Sequence, residues 1–252
     1  LQQRTGAEMV LAKISLADGR VDPYPPVRGG RRPTGLHGRK DRLAYRSAPL
    51  GLIDRARFGD LRLTAGLPSG EDLTYSLTLW FTGRTLAYDL AGPAYIINGD
   101  AGDRVTSDPR PVEQDFAFLD ELESLPWFAA APRNVRTAIV VKLIRIHLFD
   151  AIFARAGSDE SLRTHRDDLL VLVRRFGGLA PGVQRLLSIA DRAVIDRLAQ
   201  PDSTAEDITS ALAARQVYLS PATLIPRNPA RFLSRQGPFR TLLAGYQVMR
   251  RG

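Results

Sequence analysis

The chain contains no cysteine. That removes disulfides, thiolate nucleophiles and cysteine-ligated zinc or iron–sulfur sites. Its three histidines, His37, His147 and His165, are too few and too scattered for a histidine metal site. The three lysines are Lys13, Lys40 and Lys142, and the residues two positions before them are Leu11, Gly38 and Val140. A nuclease site in which a carboxylate and a metal share one phosphate next to a lysine is therefore excluded. No GK[ST] phosphate loop, GxSxG elbow or HExxH helix occurs. No stretch of eighteen residues is free of charge: the most apolar window, TAIVVKLIRIHLFDAIFA, is broken by Lys142, Arg145, His147 and Asp150 and predicts a buried helix, not a membrane span. The first residues, LQQRTGAEMVLAK, hold no apolar signal core, so an intracellular or particle-enclosed location is expected over secretion.

What is abundant is arginine. Lysine and arginine total 35, so 32 are arginine, in a chain of 252 residues with 44% apolar content and a net charge of +8. A GC-rich codon bias accounts for such a count as readily as phosphate recognition does, and the distribution is more informative than the total. Residues 1–57 hold twelve basic and five acidic side chains, residues 58–207 sixteen and twenty-two, and residues 208–252 seven and none. An acidic body near −6 thus carries two basic ends near +7 each.

The first of those ends is dense in breakers: DPYPP, RGGRRP, GLHG and APLGL. A segment with so few apolar residues does not offset its own conformational entropy, and the sequence predicts a basic arm over 1–57 that orders on a partner. Nucleic acid or an acidic protein surface would suit Arg28, Arg31, Arg32, Arg39, Lys40, Arg42 and Arg46, with Arg227, Arg231 and Arg235 at the other basic end. Opposite charges on body and ends also favour self-association or a larger assembly.

Between them, residues 58–110 read as a small antiparallel meander. DLRLTAG, DLTYSLTLWF, RTLAYDL and AYIING are rich in Thr, Tyr, Leu and Ile and are separated by LPSGE, TGR and AGP. Leu77, Leu79 and Phe81 would then oppose Thr78 and Trp80 across the sheet. Residues 111–252 turn helical. A helix apolar nearly all round is expected over 133–157, one capped by Ser158 and stopped at Gly177, one opening near Pro181, one with a capping box from Ser203 to Glu206, and a terminal helix over GPFRTLLAGYQVMRR. The fold class expected is α+β: arm, small sheet, helical body.

Within the body, TAEDITSALAARQVYLSPATLIPR resembles bacterial helix-turn-helix segments. That likeness implies Ser220, Thr223 and Arg227 facing a DNA groove and Arg231 on phosphates, within a DNA-binding stretch over 204–235. It departs from the pattern at Pro226 and Pro229, which interrupt the would-be recognition helix. Carboxylates gather at Asp100, Asp103 and Asp108 and again at Asp115, Asp120, Glu121 and Glu123. NGDAGD is too short for a calcium loop and reads as a turn, so neither a bound metal nor a cofactor is expected. The function expected is a non-enzymatic subunit of a nucleoprotein, viral or phage assembly. The alternatives are sequence-specific DNA binding, or a metal-dependent enzyme built on Asp100, Asp103 and Asp115.

Overall fold

The computed structural model describes residues 1–29, 34–97 and 110–252. They divide into a sheet unit, Leu1–Asp108 with Phe116–Ala130 and Leu243–Gly252, and a helical unit, Pro109–Asp115 with Ala131–Leu242. The chain is a mixed α/β protein, about 53% helix and 12% strand, so helices carry most of the packing.

The sheet unit begins with β1 (Met9–Leu16), followed by β2 (Thr34–Leu36), β3 (Gly51–Ile53) and β4 (Leu86–Ile97). Their order across the sheet is β2-β4-β1-β3, with β1 and β4 parallel and the two flanking pairs antiparallel. The expected antiparallel meander is thus replaced by a mixed sheet, three of whose strands come from the segment read as an arm. Only β4 belongs to the stretch read as strands. Leu86–Leu90 of RTLAYDL and Ala94–Ile97 of AYIING belong to one strand, and AGP between them is not a turn. The β1 partner jumps from Asp89 at Ala12 to Ala94 at Lys13, leaving Leu90–Pro93 as a bulge. Proline has no amide hydrogen to give the ladder, and a bulge is where a strand tolerates it.

DLTYSLTLWF is helical, within α1 (Glu71–Thr82). Leu73, Leu77 and Trp80 recur at helical spacing and are buried with Leu79, while Glu71 and Asp72 sit in the first turn, where carboxylates complement the helix dipole. Leu77 and Leu79 lie on opposite sides of this helix and are both buried, so the apparent alternation came from a helix covered on two sides. Trp80 donates from Nε1 to the Arg46 carbonyl at 2.8 Å, fixing the large side chain in a core with Met9, Leu11, Leu43, Phe58, Leu86, Tyr88 and Val248. Each such side chain contributes roughly 1.5–3 kcal/mol on leaving water. Helix α2 (Phe118–Ser124) lies against α1, with Trp127 stacked on Phe81 at 6.0 Å and donating to Thr78 Oγ1 at 3.0 Å.

In the helical unit α3 (Arg133–Leu143), a π-helical turn (Ile144–Leu148) and α4 (Phe149–Arg155) run without a break, and Ile139, Val140, Val141, Leu143, Leu148, Phe149 and Ile152 are buried. Helix α5 (Asp159–Leu179) is capped by Ser158, whose side chain accepts from the Ser161 amide. It continues through Gly177, because Phe176 and Ala180 on either side are both fully buried and hold the last turn in place. The helix expected from Pro181 is divided: a 3₁₀ turn over Val183–Leu186 precedes α6 (Ile189–Leu198), which opens on a capping box of Ser188 and Asp191. Helix α7 (Ala205–Arg215) is boxed by Thr204 and Asp207, one residue later than Ser203 and Glu206. Two elements follow, α8 (Pro221–Leu224) and α9 (Pro238–Met249), the second passing from the helical unit into the sheet unit. No helix among the described residues is long and apolar enough to cross a membrane.

Candidate functional site

Of the described arginines of the first basic segment, Arg42 and Arg46 are buried, whereas Arg4, Arg20, Arg28, Arg55 and Arg57 stay exposed. Arg28 grips Asp41 with both arms of its guanidinium, Nε to Oδ1 at 2.7 Å and Nη2 to Oδ2 at 2.8 Å. Asp41 also accepts from the amides of His37 and Arg28. Burial works to raise the Asp41 carboxyl, but the Arg28 side chain and these amides outweigh it and hold it below its ordinary value. Arg42 adopts φ +52° and donates to the Pro26 carbonyl at 2.9 Å from a buried position. Arg46 is buried as well, its Nη2 shared among the carbonyls of Ala12 and Tyr24 and the Tyr88 hydroxyl. Buried guanidinium groups that satisfy the chain's own carbonyls do not reach a macromolecular partner. Lys40 and Arg39 are half-buried, and Arg31 and Arg32 lie outside the described residues. The extended basic arm expected over 1–57 is therefore not what these residues form: Val27, Leu43, Ala44 and Tyr45 supply the buried apolar area that composition alone understated.

The helical unit gathers its charge differently, around one carboxylate. Asp191 closes the α6 capping box, accepts from Arg215 Nε at 2.8 Å and pairs with Arg145 Nε at 3.7 Å. Arg215 lies over the Phe149 ring at 3.7 Å and donates to the Arg145 carbonyl, while Arg145 Nη2 donates to the Leu186 carbonyl at 2.8 Å. This network ties α4, the π turn, α6 and α7 together. On the rod itself, Lys142 and His147 meet at 2.7 Å.

One helical turn along α6 the charge reaches the surface. Asp196 accepts from Arg192 Nη2 at 2.7 Å and from Arg227 Nη1 at 2.5 Å, and Arg192 Nη1 also donates to Gln184 Oε1. Arg185, exposed on the 3₁₀ turn, completes the set. Gln184, Arg185, Arg192, Arg227 and Asn228 line an open hollow of about 350 Å³. Arg185, Arg192 and Arg227, of which the last two pair with Asp196, leave an excess of positive charge, and two side-chain amides add neutral donors, a composition that suits phosphate oxygens.

Of the positions singled out in the sequence, Arg227 stands in this hollow. Arg231 is exposed on a 3₁₀ turn after it, and Arg235 is half-buried. Arg185 and Arg192 were missed, because each looks like an ordinary helix-surface arginine until the turn at Leu187 folds one against the other. The helix-turn-helix likeness extends to α7 but not beyond it: α8 is a single turn ended before Pro226, and Thr223 Oγ1 bonds to the Val217 and Ser220 carbonyls instead of facing outward.

His165 Nδ1 lies 2.9 Å from the Ser161 carbonyl on its own helix. Asp115 pairs with Arg110 at 3.1 Å and Arg155 at 2.6 Å, while Asp100, Asp103 and Asp108 lie outside the described residues. Among the described residues no group of three or more histidines and carboxylates could hold a metal ion. No protein-family model matches the chain, and no curated protein or solved structure matches it.

Proposed function

We propose that this chain is a binding subunit for clustered phosphates, as borne by a nucleic-acid strand or by anionic lipid headgroups, and that it engages them through the helical unit. The observation that carries this reading is the open hollow of Arg185, Arg192 and Arg227 with Gln184 and Asn228. Two of its residues, Arg227 and Asn228, belong to the segment 208–252, which contains seven arginines and no acid. Guanidinium forks pair with phosphate oxygens two at a time, and each contact to a polyanion releases counterions. The test is a salt series with labelled duplex and with anionic vesicles, comparing the native chain with an Arg185→Ala, Arg227→Ala double variant. The salt slope for duplex should fall by about 2 and vesicle affinity should drop in parallel. Equal affinities of native and variant chains for both probes would remove the hollow from the reading.

A catalytic alternative has one structural feature in its favour. Strands β1 and β4 are parallel, and open α/β sheets take ligands beyond the carboxyl ends of such strands. Asp100 and Asp103 follow Ile97, the last residue of β4, by three and six positions in sequence. Asp115, the third carboxylate of the metal reading, pairs with Arg110 and Arg155. Calorimetric titration of the full chain with Mg²⁺ and Mn²⁺, repeated with Asp100→Asn and Asp103→Asn, tests this alternative. Binding that both substitutions abolish supports it, and silence in the native chain removes it.

A further inference from the structure

The link between α7 and α8 carries three consecutive apolar side chains that point to water. Val217, Tyr218 and Leu219 are 58%, 75% and 72% exposed, and Leu219 holds φ +68°, a left-handed conformation that a leucine rarely adopts. A buried leucine could recover such a backbone cost by packing, but this one is 72% exposed. The tip is nonetheless fixed. Thr223 Oγ1 donates to the Val217 carbonyl at 3.1 Å, binding α8 back onto it, and the Ile225 carbonyl accepts from the Ile189 amide at 2.9 Å, binding α8 to the start of α6. Two residues further on stands Arg227 of the phosphate-suited hollow, then Arg231 and the 67% exposed Leu233.

We propose that this tip is a membrane-docking element: Val217, Tyr218 and Leu219 enter the headgroup boundary of an anionic bilayer, and the arginines that follow pair with its phosphates. The proposal rests on the phosphate-binding reading and chooses between its two sources. A duplex offers phosphates but keeps its base faces stacked on one another, whereas a bilayer offers phosphates and an apolar layer at the depth of one side chain. Charge complementarity points the same way. From Ile208 to Gly252 there is no carboxylate to be repelled by the negative surface potential of anionic lipid. Tyrosine, apolar in its ring and polar at its hydroxyl, is suited to that boundary.

The experiment is cosedimentation of the full chain with vesicles of phosphatidylcholine, with and without phosphatidylglycerol, next to a titration with labelled duplex. A Val217→Ser, Tyr218→Ser, Leu219→Ser variant should fold as the native chain does, since all three side chains are exposed. It should lose at least about tenfold in affinity for anionic vesicles, roughly 1.4 kcal/mol, and keep its duplex affinity. Added salt should weaken vesicle binding of the native chain. Vesicle binding unchanged by the triple substitution, equal binding to neutral vesicles, or no vesicle binding at all overturns the docking tip. Because the Arg185→Ala, Arg227→Ala variant is scored separately on duplex, loss of the tip and loss of the phosphate reading give different results.

Discussion

Lys142 Nζ and His147 Nε2 lie 2.7 Å apart in the helical unit, the lysine buried and the imidazole half-buried. They stand five positions apart, and a regular α-helix would not place such a pair side by side. The π turn over Ile144–Leu148, with its i to i+5 spacing, does. Burial, and after it the charge of Lys142, holds the His147 imidazole well below its ordinary value, so the ring stays neutral and accepts from the ammonium. Nearby, burial raises the Asp150 carboxyl, opposed by Arg215 and Lys142. Charges of both signs are thus held close together on this rod.

Acid should loosen that arrangement. An unfolded imidazole takes a proton at about pH 6.5, and the folded one takes it only at a lower pH. The unfolded state therefore binds more protons as pH falls below 6.5, and stability drops by at most about 1.4 kcal/mol per pH unit for this group. The contribution is fully present above pH 6.5 and is lost toward the lower folded value. Asp150, raised in the folded state, acts with the opposite sign at its own pH and cancels when two chains that both carry it are subtracted. Urea melts of the native chain and of His147→Leu, taken across this range, should diverge in slope. Superimposable slopes would mean that the ring is solvated.

Asp191 is held by two arginines and a helix cap, so Asp191→Asn should cost about 2–4 kcal/mol by leaving buried guanidinium groups short of their counter-charge. Combined with Arg215→Met, the loss should fall short of the sum of the two single losses by about 1 kcal/mol or more. Strict additivity would show that the pair is not energetically coupled.

Asp41→Ala removes the acceptor of Arg28 and of two amides from a site that is 1% exposed, and should destabilise the sheet unit by about 3 kcal/mol. Lys40→Ala next to it should change stability by no more than about 0.5 kcal/mol. A deletion of residues 1–46 takes β1 and most of the core around Leu43 with it, and should abolish the cooperative melt of the sheet unit. A solvated arm would give none of these effects, and thermal melts followed by near-UV circular dichroism distinguish the two cases.

Gly51 begins β3 at φ +148°, and a Cβ there would lie 2.0 Å from the Val10 carbonyl oxygen. Gly51→Ala must break the β1–β3 pairing or move a backbone, at a cost of about 3 kcal/mol or more. Amide hydrogen exchange at Ala12, whose amide donates to the Leu50 carbonyl at 3.1 Å, should accelerate in the variant, and unchanged protection there would contradict this geometry.

The helical half of the chain was largely legible because its signals are local. Ser158 is a cap, Pro226 is a break, and the apolar rod over 133–157 announces its own burial. The sheet was not, because its pairings are long-range. Nothing near Met9 tells that Leu86 will lie beside it, and a bulge written as Ala91-Gly92-Pro93 spells a turn to any local reading. Arg42 and Arg46 misled for a physical reason: charge counts for solvent contact only until backbone carbonyls, such as those of Ala12, Tyr24 and Pro26, take it indoors. The hollow of Arg185, Arg192 and Arg227 was invisible in sequence because three elements bring it together.

The sheet unit is discontinuous. Val248 joins a core that contains Met9 and Leu11, and Lys13 Nζ donates to the Gly252 carbonyl at 2.9 Å. During synthesis from the N-terminus, β1 therefore emerges more than two hundred residues before Val248, a companion in its core. The helical unit, continuous from Ala131 to Leu242 apart from its first short piece, can close in that interval. The order of completion is thus inverted relative to the order of translation. A nascent chain halted before Leu243 should hold a finished helical unit beside a sheet unit still exposing the faces of β1 that Val248 will cover, the state in which this protein is most in need of a chaperone.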